Sequence, residues 1–385
     1  MQNKYWERPI LLYLLTYQNR IEHFTKRYKY PSDIYSHFIK MHLGIQNKYI
    51  IFLHILLSPF RIFVVLFYFT FKFFKTLGIY ICRSKKIFEG KELYLLFDTL
   101  IIDRSKGTNL FNQSKSWLLA PGIKKSEELK GKEEYTVFDF IKTSDIFFTY
   151  GCAILSFFIL WRKYNYRLTI YHYCSFDFFL VYCSLNNLPE DVSIYFSTQI
   201  DRWALLFDQS KQINKILVQH GIESPQAFWR YRFSNIQTVY SISENEAQHL
   251  IHACFKSYPK NIFYIKPTLM LTRVHSAYGF NVLIISYSMV YLAQECKLIM
   301  ELSKLDIGIY LKIHPTLDGS VFSPLRKQCS FEIVEGKVFP DVNAVISYSS
   351  TLAKEYEQMG KIVLYHTEEG VNSVIKKVEG LKNEN

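Results

Sequence analysis

In VQHGIESP, residues 218–225, an apolar run ends in a histidine, and a glutamate follows three positions later. His220 titrates near neutral pH and suits the task of taking a proton from an incoming hydroxyl. Glu223 suits the same task, or that of orienting the histidine, and the residues alone leave the choice open. Gly221 permits a tight turn and Pro225 stiffens the exit. Two further stretches carry chemistry of another kind. In YLKIHPTLDG, residues 310–319, Lys312 and His314 stand two apart, which is one face of a strand, and Pro315 ends the run. A histidine held there donates a hydrogen bond to a phosphate oxygen. In AVISYSSTLAKE, residues 344–355, Ser347, Tyr348, Ser349, Ser350 and Thr351 separate an apolar run from a helical pattern. Such hydroxyls cap helices. With the first-turn amides and the positive end of the helix dipole they also form an anion site.

The elements that must position these groups follow from the spacing of the apolar runs. Strands are expected at 92–98, 116–122, 134–140, 167–173, 192–198, 214–220, 238–243 and 262–267. Helical patterns lie between several of them, notably 143–164 and 243–258. Residues 266–280 interrupt the alternation and read as an interdomain linker. A second series then runs through strands at 281–288, 307–315, 331–336, 343–349 and 361–366, with helices near 290–304 and 350–360 and a basic amphipathic helix at 371–382. Strands alternating with helices predict α/β architecture, with parallel sheets covered on both faces. Two such series imply two Rossmann-type doubly wound domains with a cleft between them, and ligands outside the carboxyl ends of the strands.

Composition narrows the function classes. The 385 residues are 49% hydrophobic and 17% aromatic, and the net charge is +12. Residues 1–90 hold 14 Lys+Arg against 4 Asp+Glu, so +10 of that charge sits in the first quarter of the chain. A nucleic-acid-binding domain carries its basic stripe on the folded domain itself, so no nucleic-acid partner is expected. Here the charge accompanies aromatics, as in RIFVVLFYFTFKFFKTLGIYICRSKK (61–86), which points to an anionic membrane surface contacted through residues 49–86. The apolar stretch 49–71 has the length of a membrane span, but Pro59 and Arg61 fall within it, which favours a helix or broken hairpin lying on the surface over one crossing it, with an ordinary buried helix pair as the other alternative. The first 30 residues lack the pattern of a secretory signal. Seven scattered cysteines, with no CxxC pair, read as reduced core residues. A cytoplasmic protein peripheral to the inner membrane is the expectation.

The order HG, then HP, then a strand followed by SS resembles the GT-B glycosyltransferases that build bacterial surface polysaccharides. It is similar in particular to the sialyltransferase, polysialyltransferase and capsular Kdo-transferase groups and to the related CDP-glycerol glycerophosphotransferases. The resemblance covers roughly residues 210–366. It implies that His314, Pro315, Ser349, Ser350 and Thr351 bind the phosphate of a nucleotide-activated donor, and that His220 or Glu223 is the base. It further implies an acceptor domain at 89–270 and a nucleotide-donor domain at 271–370, preceded by a basic aromatic region at 1–88 and followed by a helical tail at 371–385. The activity implied is inverting sugar transfer from a nucleotide donor, CMP-activated and sialic acid- or Kdo-like, to a glycan or lipid-linked glycan of capsule or lipooligosaccharide. A CDP-glycerol or CDP-ribitol type of polyol-phosphate transferase, and a non-catalytic subunit of a polysaccharide assembly complex, are the alternatives. No Asp-x-Asp motif occurs, so neither a metal ion nor another cofactor is expected beyond the nucleotide-sugar co-substrate. One departure stands out: the acid-acid-glycine triplet that precedes HP in polysialyltransferases occurs here only as Glu368, Glu369 and Gly370, after the serine pair.

Overall fold

A computed structural model of the chain describes residues 4–28, 61–97, 100–123, 127–163, 170–197, 203–222, 229–267, 269–274, 276–286, 291–314, 317–336, 338–348 and 350–384. It divides into two compact units, Met1–Ile265 and Lys266–Asn385. In chain order the strands of the first are β1 (Glu92–Leu96), β2 (Ser116–Leu119), β3 (Glu133–Thr136), β4 (Ser193–Phe196), β5 (Lys215–Val218), β6 (Thr238–Ser241) and β7 (Asn261–Tyr264). The second unit holds β8 (Leu271–Arg273), β9 (Asn281–Ile285), β10 (Gly308–Lys312), β11 (Glu332–Val334), β12 (Phe339–Asp341), β13 (Ala344–Ser347) and β14 (Ile362–Tyr365).

The first sheet has the order β3-β2-β1-β4-β5-β6-β7 and the second β11-β10-β9-β13-β14, every neighbouring pair being parallel. Each order starts in the middle, winds outwards one way and then resumes on the other side, which is the doubly wound arrangement. Parallel strands covered on both faces must be apolar at nearly every position, and the burial shows this. In β1, Leu93 and Leu95 enter one core with Leu118 and Leu217, while Tyr94 and Leu96 enter another with Trp117 and Val218. In β9, Val282 and Ile284 face Leu298 and Val374, whereas Leu283 and Ile285 face Val345 and Tyr356. The two-residue alternation of side chains thus gives each sheet two cores. The α/β fold class with two Rossmann-type units expected from the spacing is the one found.

Three local readings change. The run 134–140 is a strand only to Thr136; Val137–Phe140 is a helical turn closed by a capping box between Thr136 and Asp139. The stretch 167–173 is not a strand, because from Ile170 it forms the helix Ile170–Asn187, whose Phe176, Phe178 and Phe179 are fully buried. Tertiary packing here outweighs the β-propensity of a Tyr-rich run. The 266–280 segment contains β8, which pairs with β12 in a separate two-stranded parallel sheet.

The aromatic N-terminal helices are built into the first unit. Helix Lys4–Tyr28 sets Tyr13 against Phe178 and Phe179, at ring separations of 5.0 and 5.5 Å. Its Asn19 exchanges two hydrogen bonds with the Tyr231 backbone, at 2.7 and 2.9 Å. Helix Arg61–Cys82 runs antiparallel to helix Thr143–Lys163: Thr70 Oγ1 lies 3.0 Å from Tyr150 Oη, and Phe73 packs on Phe147 at 5.1 Å. Lys72 donates to both carboxylate oxygens of Asp177 at 2.8 and 2.9 Å, pinning this helix to Ile170–Asn187. The described part of the apolar stretch forms helix Arg61–Cys82, while residues 49–60, including Pro59, lie outside the described residues.

Candidate functional site

In the first unit the strand order reverses between β1 and β4, and β5 is the next strand outwards. His220 leaves the carboxyl end of β5 and is half-buried. Its position is fixed by the residue before it. Gln219 is fully buried, and its N–H donates to Tyr240 O at 2.8 Å, continuing the β5–β6 ladder one step. The Gln219 side chain accepts from Ser241 Oγ and from Ile242 N (3.1 Å), and its Nε2 donates to Gly221 O at 2.9 Å. One amide thus ties the histidine-glycine turn to the end of β6 and closes it on itself. The neighbouring β4 is followed by Ser197, whose buried Oγ has no hydrogen-bond partner among the described residues. Glu223 lies outside the described residues.

In the second unit the reversal falls between β9 and β13. Ser347 is in register with Ile285, so Ser286 and Tyr348 leave the sheet side by side. Ser350 is the N-cap of helix Thr351–Gln358; its Oγ accepts from Ala353 N at 3.1 Å and lies 2.9 Å from Ser347 Oγ. Thr351 opens the first turn, where the dipole is positive and orphan amides point outwards. The Ser286 N–H donates to Lys312 O at 2.9 Å, while its buried Oγ has no partner among the described residues. Hydroxyls and amides from the ends of both central strands therefore form one shelf of donors. An arrangement of this kind favours an anion, with no proton needing to move.

His314 follows β10, the strand beside β9, and is half-buried; its carbonyl accepts from Leu317 N at 2.9 Å, which makes the turn after the strand. Lys312 is spent elsewhere. Its Nζ donates to Gly336 O and to Val338 O (3.2 Å) and sits 5.3 Å from the Phe339 ring centroid, and burial lowers its pKa. Pro315 and Ser349 lie outside the described residues. The structure thus puts Ser350 and Thr351 at the switch point of their sheet and His314 one strand away. Among the described residues no three His, Cys, Asp or Glu side chains converge as a metal site.

Two groups beside the shelf escaped the sequence reading. Tyr291 stacks on Tyr348 at 6.0 Å and 25° and meets the edge of His366 at 5.8 Å and 80°. His366, just past β14, is 2% exposed, and neither ring nitrogen has a hydrogen-bond partner among the described residues. Burial pushes its pKa down to about 4. Neither lies in a motif, but the strand ends beside them carry one. The tetrapeptide ISYS occurs twice, at 285–288 and 346–349, at the ends of the two strands that flank the reversal.

No known protein-family pattern matches the chain, and no curated protein does. Among solved structures, the wall teichoic acid polymerase TagF is similar over 83% of this chain and 90% of its own, at 8% identity and a TM-score of 0.39. UDP-GlcNAc 2-epimerase from Neisseria meningitidis, bound to UDP-GlcNAc, is similar over 77% and 90% of the two chains, at 12% identity and a TM-score of 0.41. The calicheamicin glycosyltransferase CalG4 is similar over the same shares, 77% and 90%, at 10% identity and a TM-score of 0.39.

Proposed function

We propose that this protein is a metal-independent, inverting glycosyltransferase that moves a sugar from a CMP-activated donor, of the sialic acid or Kdo kind, to a bacterial surface glycan. The observation that carries the reading is the hydroxyl shelf at the switch point of the second sheet, capped by Ser350. Its role is to hold the donor phosphate and to stabilise the charge that grows on the leaving nucleotide. Ser350 and Thr351 supply the helix end, His314 adds a donor from the adjacent strand, and Pro315 and Ser349 complete the motifs. Preorganised donors of this sort typically lower a barrier by about 2.7–4 kcal/mol each. In the first unit His220 is the base that takes the acceptor hydroxyl's proton, with Glu223 as the other candidate. The glycan acceptor is lipid-linked in this reading.

The same proposal places the enzyme on the inner membrane surface. Phe63, Phe67, Phe71, Phe74 and Ile81 fall on one face of helix Arg61–Cys82 and are exposed, Phe63 and Phe67 by 70% and 74%. Phe147, Leu155 and Phe158 are exposed at the same spacing on helix Thr143–Lys163. Both helices have the length and apolarity to cross a membrane. Their opposite faces are core, with Val65, Phe69, Cys152 and Phe157 all fully buried. That supports helices lying in the interface and not spanning it.

The test is transfer from CMP-sialic acid, CMP-Kdo and CDP-glycerol to a lipooligosaccharide acceptor, read by product mass. Addition of the sugar alone is the expected result. A product carrying added phosphorus would replace the reading with polyol-phosphate transfer. Absence of nucleotide binding altogether would leave a non-catalytic subunit.

A further inference from the structure

The first unit has a concave site at the edge of the sheet opposite His220. A cavity of about 490 Å³ opens at the amino ends of β5, β6 and β7. It is bounded by the turns that lead into those strands (209–213, 234–237 and 257–260) and by Arg8 of the N-terminal helix. Strand β5 has four residues, so roughly 13 Å of sheet separates the cavity from the histidine-glycine turn. Four cations line it, Arg8, Lys211, Lys215 and Lys260, and among the described residues no Asp or Glu does.

Lys215 is the informative one. It is 4% exposed, and its ammonium donates to Asp208 O at 2.7 Å, a carbonyl of the last turn of helix Ala204–Gln209. That bond uses one of three ammonium hydrogens. The nearby carboxylate offsets this charge only in part, because its oxygens are engaged elsewhere. Asp208 is fully buried and accepts from Ser234 N (3.0 Å), Asn235 N (2.7 Å) and Gln209 Nε2 (2.6 Å). Burial lowers the Lys215 pKa, and Arg8 pushes it the same way, whereas Asp208 opposes them. A buried ammonium near Arg8, only partly offset by Asp208, is costly while the cavity holds only water, and an entering anion lowers that cost. The lining also offers the polar side chains of Gln237, Ser257 and Tyr258.

We propose that this cavity is a binding site for a phosphate or diphosphate group, separate from the candidate transfer site and independent of its assignment. The group is that of a small soluble anion or of a lipid headgroup. Both present the same oxygens to the same cations.

The full-length protein and its Lys211→Gln/Lys260→Gln variant test this, since both lysines are exposed and their loss leaves the core intact. One arm titrates inorganic pyrophosphate by calorimetry at low and high salt. The other measures sedimentation with phosphatidylcholine vesicles with and without phosphatidic acid. Loss of two charge-assisted contacts is expected to weaken pyrophosphate binding about a hundredfold, and high salt is expected to weaken it further. A variant defect seen only as lost dependence on phosphatidic acid identifies the lipid headgroup as the source. The proposal fails if the wild type shows neither pyrophosphate binding nor phosphatidic acid dependence, or if the double variant matches it in both.

Discussion

His366 is expected to make the second unit sensitive to mild acid, and the size of the effect follows from its burial. The imidazole is 2% exposed with no hydrogen-bond partner among the described residues, and its pKa falls from the ordinary 6.5 to about 4. A histidine whose folded pKa is depressed binds its proton in the unfolded chain first. Stability is therefore fully present above pH 6.5 and falls as pH drops towards 4. With those two values, the linkage relation gives a loss of roughly 2 kcal/mol between pH 7.5 and pH 5.0 from this one group. His366→Phe removes the titration, keeps a flat ring against Tyr291, and leaves no unpaired ring nitrogen. Urea unfolding of both proteins at pH 7.5 and 5.0 is the assay, with the transition of the second unit followed. At pH 7.5 the two are expected to agree within about 1 kcal/mol. At pH 5.0 the variant is expected to be the more stable, having escaped the loss. Parallel pH profiles for the two proteins would refute the reasoning, because they would mean that His366 takes up its proton equally in both states.

Three other outcomes are expected. Gln219→Leu removes the hydrogen bonds from Ser241 Oγ and Ile242 N and the one to Gly221 O, so the first unit loses about 0.5–1.5 kcal/mol per bond and transfer falls with it, as urea midpoints and turnover would show. His220→Ala lowers turnover by about 10²–10⁴ with little change in stability, since the ring is half-buried at a turn; a tenfold loss or less would remove it as base. Phe63→Ser with Phe67→Ser and Phe74→Ser abolishes sedimentation with anionic vesicles while leaving thermal stability unchanged, because all three side chains face outwards. Unchanged sedimentation would move the membrane contact off this helix.

The fold was legible because parallel sheets demand a distinctive pattern. Runs such as ELYLL and NVLII are apolar at nearly every position, and only strands covered on both faces tolerate that. The helix at Ile170–Asn187 was not legible at its start. Tyr171, His172 and Tyr173 favour a strand locally, and the helix there belongs to a segment with a long buried aromatic face. Val137–Phe140 was hidden by a similar conflict, settled by a short-range capping box that the reading passed over. At the site, the histidine-glycine and serine motifs could be read because polar groups at the end of an apolar run are conspicuous. Gln219 and His366 could not. The work of Gln219 depends on the adjacent β6 contributed twenty residues later, and His366 matters because its buried ring nitrogens have no hydrogen-bond partner among the described residues, which no linear pattern reveals. Lys312 shows the converse: its spacing from His314 put both on one face, yet its ammonium reaches the carbonyls of Gly336 and Val338.

The central claim is that the Ser350 shelf receives the phosphate of a cytidine nucleotide. Calorimetric titration of CMP into the wild type and into Ser350→Ala addresses it most directly. The account predicts saturable binding to the wild type and at least tenfold weaker binding to the variant, alongside the roughly 1 kcal/mol of stability that a lost helix cap costs. Equal affinity in the two proteins, or no binding of CMP to either, would contradict it.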